Sequence, residues 1–287
     1  MHPAPRFAAA PRRVPASLVV ANVFNGFGQF GWFFFGFGMI FFWVFGASAD
    51  LSFLKFGSLA QTSGQVTQVE ATAASENEQP VYANYYAFSL AGRRHTGVSY
   101  VTGSAATVGE TVEIEYDASD PSWSRIAGMR RAMFGSWALL FALIFPGIGL
   151  TIALFSLRSG LRRARLLRNG QLAMGKLVGK EATSTTVNKR RVYELTFEFI
   201  TREGQRREAK ARTTFPHTLE DERQEPLLYD PQKPNVVYVL DEVPGRPHVD
   251  GMGELEGQPL TAFARFIIPA LAIGGNVLVA LYRFDVL

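Results

Sequence analysis

Catalysis needs side chains that converge to move a proton, attack a bond or hold an ion, and this sequence offers few of them. It has no cysteine among 287 residues, which excludes disulfides, thiolate nucleophiles and Cys-ligated metal centres. Its histidines, His2, His95, His217 and His248, are widely separated, with no H-E-x-x-H and no paired metal spacing, and are expected in tails or loops. No catalytic, metal or cofactor residue is therefore assigned, and the chain reads as a non-enzyme. Gly26-Phe-Gly28-Gln-Phe-Gly31 matches the dinucleotide fingerprint, but that fingerprint needs a preceding strand and a following helix. Here it opens an apolar block, so its glycines are expected to let helices or lipid approach closely.

The residues best suited to bind something are Arg158, Arg162, Arg163, Arg165 and Arg168. On a helical period Arg158, Arg162 and Arg165 form one stripe and Leu157, Leu161 and Ala164 another. Guanidinium groups spaced this way clamp anionic lipid headgroups at about 1 kcal/mol each near an anionic leaflet. A competing reading treats them only as a topology signal. They follow an uncharged run, residues 133–157, long enough to cross a bilayer. Formal net charge is +4, and because much of the Arg excess abuts apolar runs, lipid is the expected partner and nucleic acid is not.

Two further apolar blocks frame this one. Residues 29–46 contain Trp32, Trp43 and a dense run of phenylalanines, and residues 266–282 lie between Arg265 and Arg283 and carry Pro269, Gly274 and Gly275. Three transmembrane helices are expected, over 29–46, 133–157 and 266–282. Ala47-Ser48-Ala49 resembles a signal-peptide cleavage site, but the apolar run before it is too long. Residues 1–28, with Pro3, Pro5, Pro11 and Pro15 and the bases Arg6, Arg12 and Arg13, read as a mobile arm and interfacial segment. Within the blocks no Asp, Glu, Lys, Arg or His appears, which opposes a pump or coupled transporter. The uncharged polar residues Asn22, Asn25, Gln29 and Asn276 suit interhelical hydrogen bonding better than a transport path, and the pairs Gly149-x-x-x-Ala153 and Ala270-x-x-x-Gly274 suit helix packing.

Between the blocks the period changes to two. Tyr82, Asn84, Tyr86, Phe88 and Leu90 alternate with small or polar neighbours, as do Tyr193, Leu195, Phe197 and Phe199 with Glu194, Thr196 and Glu198. The two stretches repeat: Gly64, Tyr82, Tyr86 and Phe88 match Gly175, Tyr193, Phe197 and Phe199 at one constant offset, and Tyr116-Asp117 with Pro121 matches Tyr229-Asp230 with Pro234 two residues later. The expected fold is thus three transmembrane helices with two duplicated small antiparallel β-barrel or β-sandwich domains, residues 50–128 and 173–245. An Arg-rich juxtamembrane helix, 158–172, precedes the second and a linker, 246–265, follows it.

A Gly before strand residues, an aromatic strand ending in Gly, and a strand closing in Tyr-Asp-x-x-x-Pro, flanked by membrane helices, resembles the bacterial family catalogued as domain of unknown function 3592. The resemblance covers residues 63–126 and 173–241, with Ala118 standing where the second copy has Pro231. It implies a membrane-anchored β module and no established chemistry. The expectation is an integral interaction or assembly component of the bacterial envelope, its partners anionic lipid headgroups and a protein partner or second copy; the alternative is an accessory or gating subunit of a membrane enzyme or transport complex. Flanking bases decide orientation. Arg6, Arg12, Arg13, the five arginines, Lys176, Arg246 and Arg265 against Lys55, Arg125, Arg130, Arg131 and Arg283 place the N-terminus in the cytoplasm of an inner-membrane, multi-pass protein.

Overall fold

The computed structural model describes residues 7–55, 57–220 and 224–284; His2, Pro3, Pro5 and Arg6 lie outside them. Among the described residues three helices are long and apolar enough to cross a membrane, over Gly26–Ser48, Trp137–Asn169 and Pro259–Arg283. Residues 37–147 form one compact unit, and the chain before and after them forms a second.

In the second unit, α1 (Ala16–Val23) is followed after a break by α2 (Gly26–Val44). Asn25 caps α2, its Oδ1 accepting from the N–H groups of Phe27 and Gly28 at 3.0 and 3.1 Å. Glycines in a water-exposed helix cost about 1 kcal/mol each, but a helix in hydrocarbon satisfies its own backbone, and here they also permit contact with α3 (Trp137–Asn169). A Cβ on Gly28 would lie 2.6 Å from Ser156 Oγ, one on Gly31 2.6 Å from Ala153 N, and one on Gly149 would enter the backbone of Phe35. Gly28 and Gly31 of the fingerprint and Gly149-x-x-x-Ala153 are thus one packing seam, whereas a Cβ on Gly26 would meet nothing within 4 Å. Ala270-x-x-x-Gly274 is not: on α5 (Ile267–Arg283) Ala270 is exposed and nothing lies within 4 Å of a Cβ on Gly274. Packing there uses Ala272 instead, against Gly36.

Helix α3 departs from the expected boundaries. It begins at Trp137, because Met133 and Phe134 bind the first module, their carbonyls accepting from Arg130 at 3.2 Å and from the Asp50 N–H at 2.8 Å. It then runs without a break through all five arginines to Asn169, so the span and the juxtamembrane helix are one element.

The first module comprises β1 (Ala60–Glu76), β2 (Gln79–Leu90), β3 (Arg93–Thr102), β4 (Thr111–Asp117) and β5 (Asp120–Ile126), paired antiparallel in the order β3-β2-β1-β4-β5. The sheet rolls until its edges meet, where the Ile126 N–H donates to Ser99 Oγ at 2.9 Å. Val66, Tyr86, Phe88, Ile114 and Ile126 fill it, each large side chain contributing about 1.5–3 kcal/mol by burial.

The second module repeats that order with β6 (Gln171–Val187), β7 (Arg190–Ile200), β8 (Arg206–Thr213), β9 (Glu225–Asp230) and β10 (Lys233–Val239), arranged β8-β7-β6-β9-β10. The match reaches single residues. Bulges at Val66/Gln68 and Ala71/Ser75 recur at Leu177/Gly179 and Ala182/Thr186. Thr72 Oγ1 donates to the Val81 carbonyl as Thr183 Oγ1 does to that of Val192, at 2.8 and 2.9 Å. Left-handed Asn77-Glu78 recurs as Asn188-Lys189, tight hairpins of the kind whose twist suits the strands. Leu195, Phe197, Phe199, Leu227 and Tyr229 form the second core.

After β10 a short hairpin, β11 (His248–Val249) with β12 (Leu255–Glu256), leads to α4 (Pro259–Ala264) and α5. Another cluster, built on Leu18, Leu166, Leu167, Leu228, Leu240, Val243 and Leu255, takes in Phe7 and Val14. From Phe7 onward the expected mobile arm is therefore packed into protein.

Candidate functional site: the arginine-lined end of the second span

A helix ends with carbonyls lacking intrahelical partners, and a cation there satisfies both their hydrogen-bonding and the macrodipole. Arg12 does this for α3. Its Nη1 donates to the Leu167 carbonyl at 2.8 Å, its Nη2 to that of Gly170, and its backbone N–H to that of Arg168 at 2.8 Å. Its guanidinium also lies over the Phe7 ring, 5.1 Å from the centroid. Burial of Arg12 to 5% exposure fixes residues 11–14 beside the arginine-bearing turns.

One turn away, Arg163 is also engaged by protein. Its Nε and Nη2 donate to Asn22 Oδ1 and the Asn22 carbonyl at 3.1 and 3.2 Å, while buried Asn22 donates to the Leu18 and Pro244 carbonyls at 2.8 and 3.0 Å. Arg265 Nη1 reaches the Ala21 carbonyl at 2.7 Å, and Gln29 Nε2 reaches that of Arg265 at 2.6 Å. Asn22 thus joins α1, α3 and the segment before β11. The sequence signal was its place with Asn25 and Gln29 in an uncharged block; the partner Arg163 was not legible there, because it lies far along the chain. Asn276 donates to the Ala272 carbonyl of its own helix at 2.6 Å.

Arg163 therefore leaves the expected headgroup clamp. Arg158, Arg162, Arg165 and Arg168 stay exposed, and among the described residues none of them, nor exposed Arg13, makes a side-chain hydrogen bond or ion pair. Two hollows border them. One, of about 750 Å³, lies between Arg162, Arg165 and Asn169 and the β9–β10 turn, and includes Asp230 and Lys233. The other, of about 770 Å³, lies between residues 11–19 and α3, bordered by Arg13, Val19, Leu161, Ala164, Arg165 and Arg168.

The repeat-signature residues hold fold instead of forming a site. A Cβ on Gly64 would meet Ile114 at 2.7 Å and one on Gly175 would meet Leu227 at 2.5 Å, so each glycine makes room for the same inward side chain. Asp117 and Asp230 accept the N–H of Ser119 and Gln232 at 2.8 and 2.9 Å, closing equivalent turns. Pro121 and Pro234 are the second residues of edge strands β5 and β10, where a missing N–H is tolerated. Tyr116 sits 6.0 Å from Phe88, and Tyr229 donates to Gln171 Oε1 at 2.7 Å while accepting from the Arg202 N–H at 2.8 Å. Two of the histidines expected in tails or loops lie in strands, His95 in β3, where it stacks on Phe88, and His248 in β11, while His217 packs against Phe215.

Compared with known proteins, the chain matches no family model, no curated protein and no solved structure.

Proposed function

We propose that this is an integral inner-membrane interaction or assembly component of the bacterial envelope, without catalytic chemistry of its own, whose β modules belong to the family that its sequence resembles. The observation that carries the reading is the set of uncompensated arginines at the end of α3. On the second module several bases are matched with acids, as in Lys180 with Glu220, Arg206 with Glu198, and Lys210 and Arg212 with Glu194. At the end of α3, Arg158, Arg162, Arg165 and Arg168 have no such acids, which suits a surface whose counter-charge is lipid phosphate. The excess of bases on one set of flanks supports a cytoplasmic N-terminus. The coincident bulges and hairpins support one module duplicated. Reporters active only outside the cytoplasm, fused after Ser124 and after Gly257, test the orientation: activity at Ser124 alone is expected, and activity at both sinks it.

The second reading, an accessory or gating subunit, is favoured by α5. Leu271, Leu278 and Tyr282 are exposed there, and a Cβ on Gly274 or Gly275 would meet nothing within 4 Å, leaving a smooth face that another helix could approach closely. Recovery of a stoichiometric enzyme or transporter from mild detergent, lost on Gly274→Leu, would select it. Self-association or lipid retention alone would select the first.

A further inference from the structure

We infer that the hollow between residues 11–19 and the last turns of α3 is a site for one anionic phospholipid, its phosphate held by Arg13, Arg165 and Arg168 and the start of an acyl chain lying on Val19 and Leu161. This rests on the proposed role of the arginines and narrows it to a place.

Leu161, Ala164, Arg165 and Arg168 are spaced three to four and seven apart, so they share one face of α3. Along that face the helix passes from apolar to cationic over about 10 Å, the order in which a phospholipid entering from the hydrocarbon side presents acyl chain and phosphate. Leu161 is 50% exposed and follows the charge-free part of the span. The facing wall repeats the order: Val19 and Val14 are half-buried, while Arg13 is exposed. That wall is preorganised, because Arg12 beside Arg13 is bound to the carbonyls of Leu167 and Gly170. No acid among the described residues borders this hollow. The neighbouring one contains Asp230, which repels a phosphate. At about 770 Å³ the space is within the range of small-ligand sites.

The test counts lipid on the full-length chain. Protein in detergent is titrated with phosphatidylglycerol, phosphatidylcholine or inorganic phosphate and examined by native mass spectrometry. One phosphatidylglycerol per chain is expected at concentrations where phosphatidylcholine and phosphate are not retained. Arg165→Gln with Arg168→Gln should weaken retention about tenfold or more. Leu161→Trp, which keeps every charge and fills the apolar end, should weaken it too. Arg93→Gln with Arg94→Gln, exposed in β3 and outside the hollow, should leave it unchanged. Equal retention of both lipids, binding of phosphate alone, or full retention by the Arg165/Arg168 and Leu161 variants overturns the site. Failure of the wider reading is a separate result: neutralising Arg158, Arg162, Arg165 and Arg168 together would then leave the difference in thermal stability between phosphatidylglycerol and phosphatidylcholine bilayers unchanged, whereas the wider reading expects that difference to vanish.

Discussion

The two β modules share one strand order and the same bulges, yet they fill and border that sheet with opposite chemistry. In the first, Asn84 faces Ser99 across β2 and β3, Tyr86 faces Gly97, and Tyr116 faces Ser124. In the second the same places hold Leu195 with Ala211, Phe197 with Ala209, and Tyr229 with Val237. The first core is hydrogen-bonded: the Tyr86 hydroxyl meets Ser124 Oγ at 3.0 Å, and Asn84 Oδ1 accepts the Ala106 N–H at 3.0 Å. The second is apolar at the first two points, and at the third Val237 replaces the serine while Tyr229 keeps its hydroxyl bonded to Gln171 and to the Arg202 N–H. Glycine at 97 fits this account, because a Cβ there would enter the Tyr86 hydroxyl, whereas Phe197 leaves room for Ala209. One fold therefore tolerates either solution, provided each polar group in the buried set finds a partner.

The borders differ in the same sense. Around the first module four bases are tied to protein: Arg130 grips both oxygens of Glu76 at 2.9 and 2.8 Å, Arg125 pairs with Glu115 at 2.7 Å, Lys55 pairs with Asp117, and Arg131 lies 4.6 Å over the Trp123 ring. Beside the second module, Arg12 and Arg163 are held by carbonyls and Asn22, and the remaining span-end arginines face outward. A base count treats Arg130 and Arg162 alike, but only Arg162 offers its charge to an outside partner.

Five substitutions press on this contrast. The largest loss is expected from Asn22→Ala, about 3 kcal/mol in chemical unfolding of the full chain, because Arg163 then keeps its half-buried charge without the side-chain acceptor; Arg158→Gln should change stability by less than about 0.5 kcal/mol. Glu76→Gln should cost about 2 kcal/mol by weakening the grip of Arg130 and Thr102. Burial raises the Glu76 carboxyl, but its bonds from Thr102 and Arg130 outweigh that and hold it below its ordinary 4.5. A depressed carboxylate stabilises the fold above its unfolded value, and that contribution is lost as pH falls from 4.5 through the depressed one. The wild-type chain should lose stability over that acid window more steeply than Glu76→Gln. Smaller effects come from the core: Tyr86→Phe should cost about 1 kcal/mol and Gly97→Ala a similar amount, while the double variant, which installs the second module's pair, should cost less than their sum. Strict additivity would show that the two positions are independent.

Much of the architecture was legible. Charge-free runs gave the spans, period-two stretches gave the modules, and the repeat spacing anticipated equivalent turns at Asp117 and Asp230. Three features were not legible, each because it depends on residues far apart in sequence. Arg12 reads as one base in a Pro-rich arm until the end of α3 folds beside it. Arg163 is indistinguishable from its neighbours until Asn22 faces it. Helix α3 starts at Trp137 because Met133 and Phe134 are held by the first module, although hydropathy alone continues back through them.

The central claim is that the exposed arginines of α3 meet lipid headgroups, and the absence of native cysteine permits a direct measurement. Single cysteines at Leu161, Arg168 and Val187 in the otherwise unaltered full-length chain, spin-labelled in phosphatidylglycerol-containing bilayers, report depth through relaxation by oxygen and by an aqueous nickel complex. The account predicts oxygen-dominated relaxation at 161, intermediate values at 168 and nickel-dominated relaxation at 187. Labels at 161 and 168 as accessible to nickel as the label at 187 would contradict it.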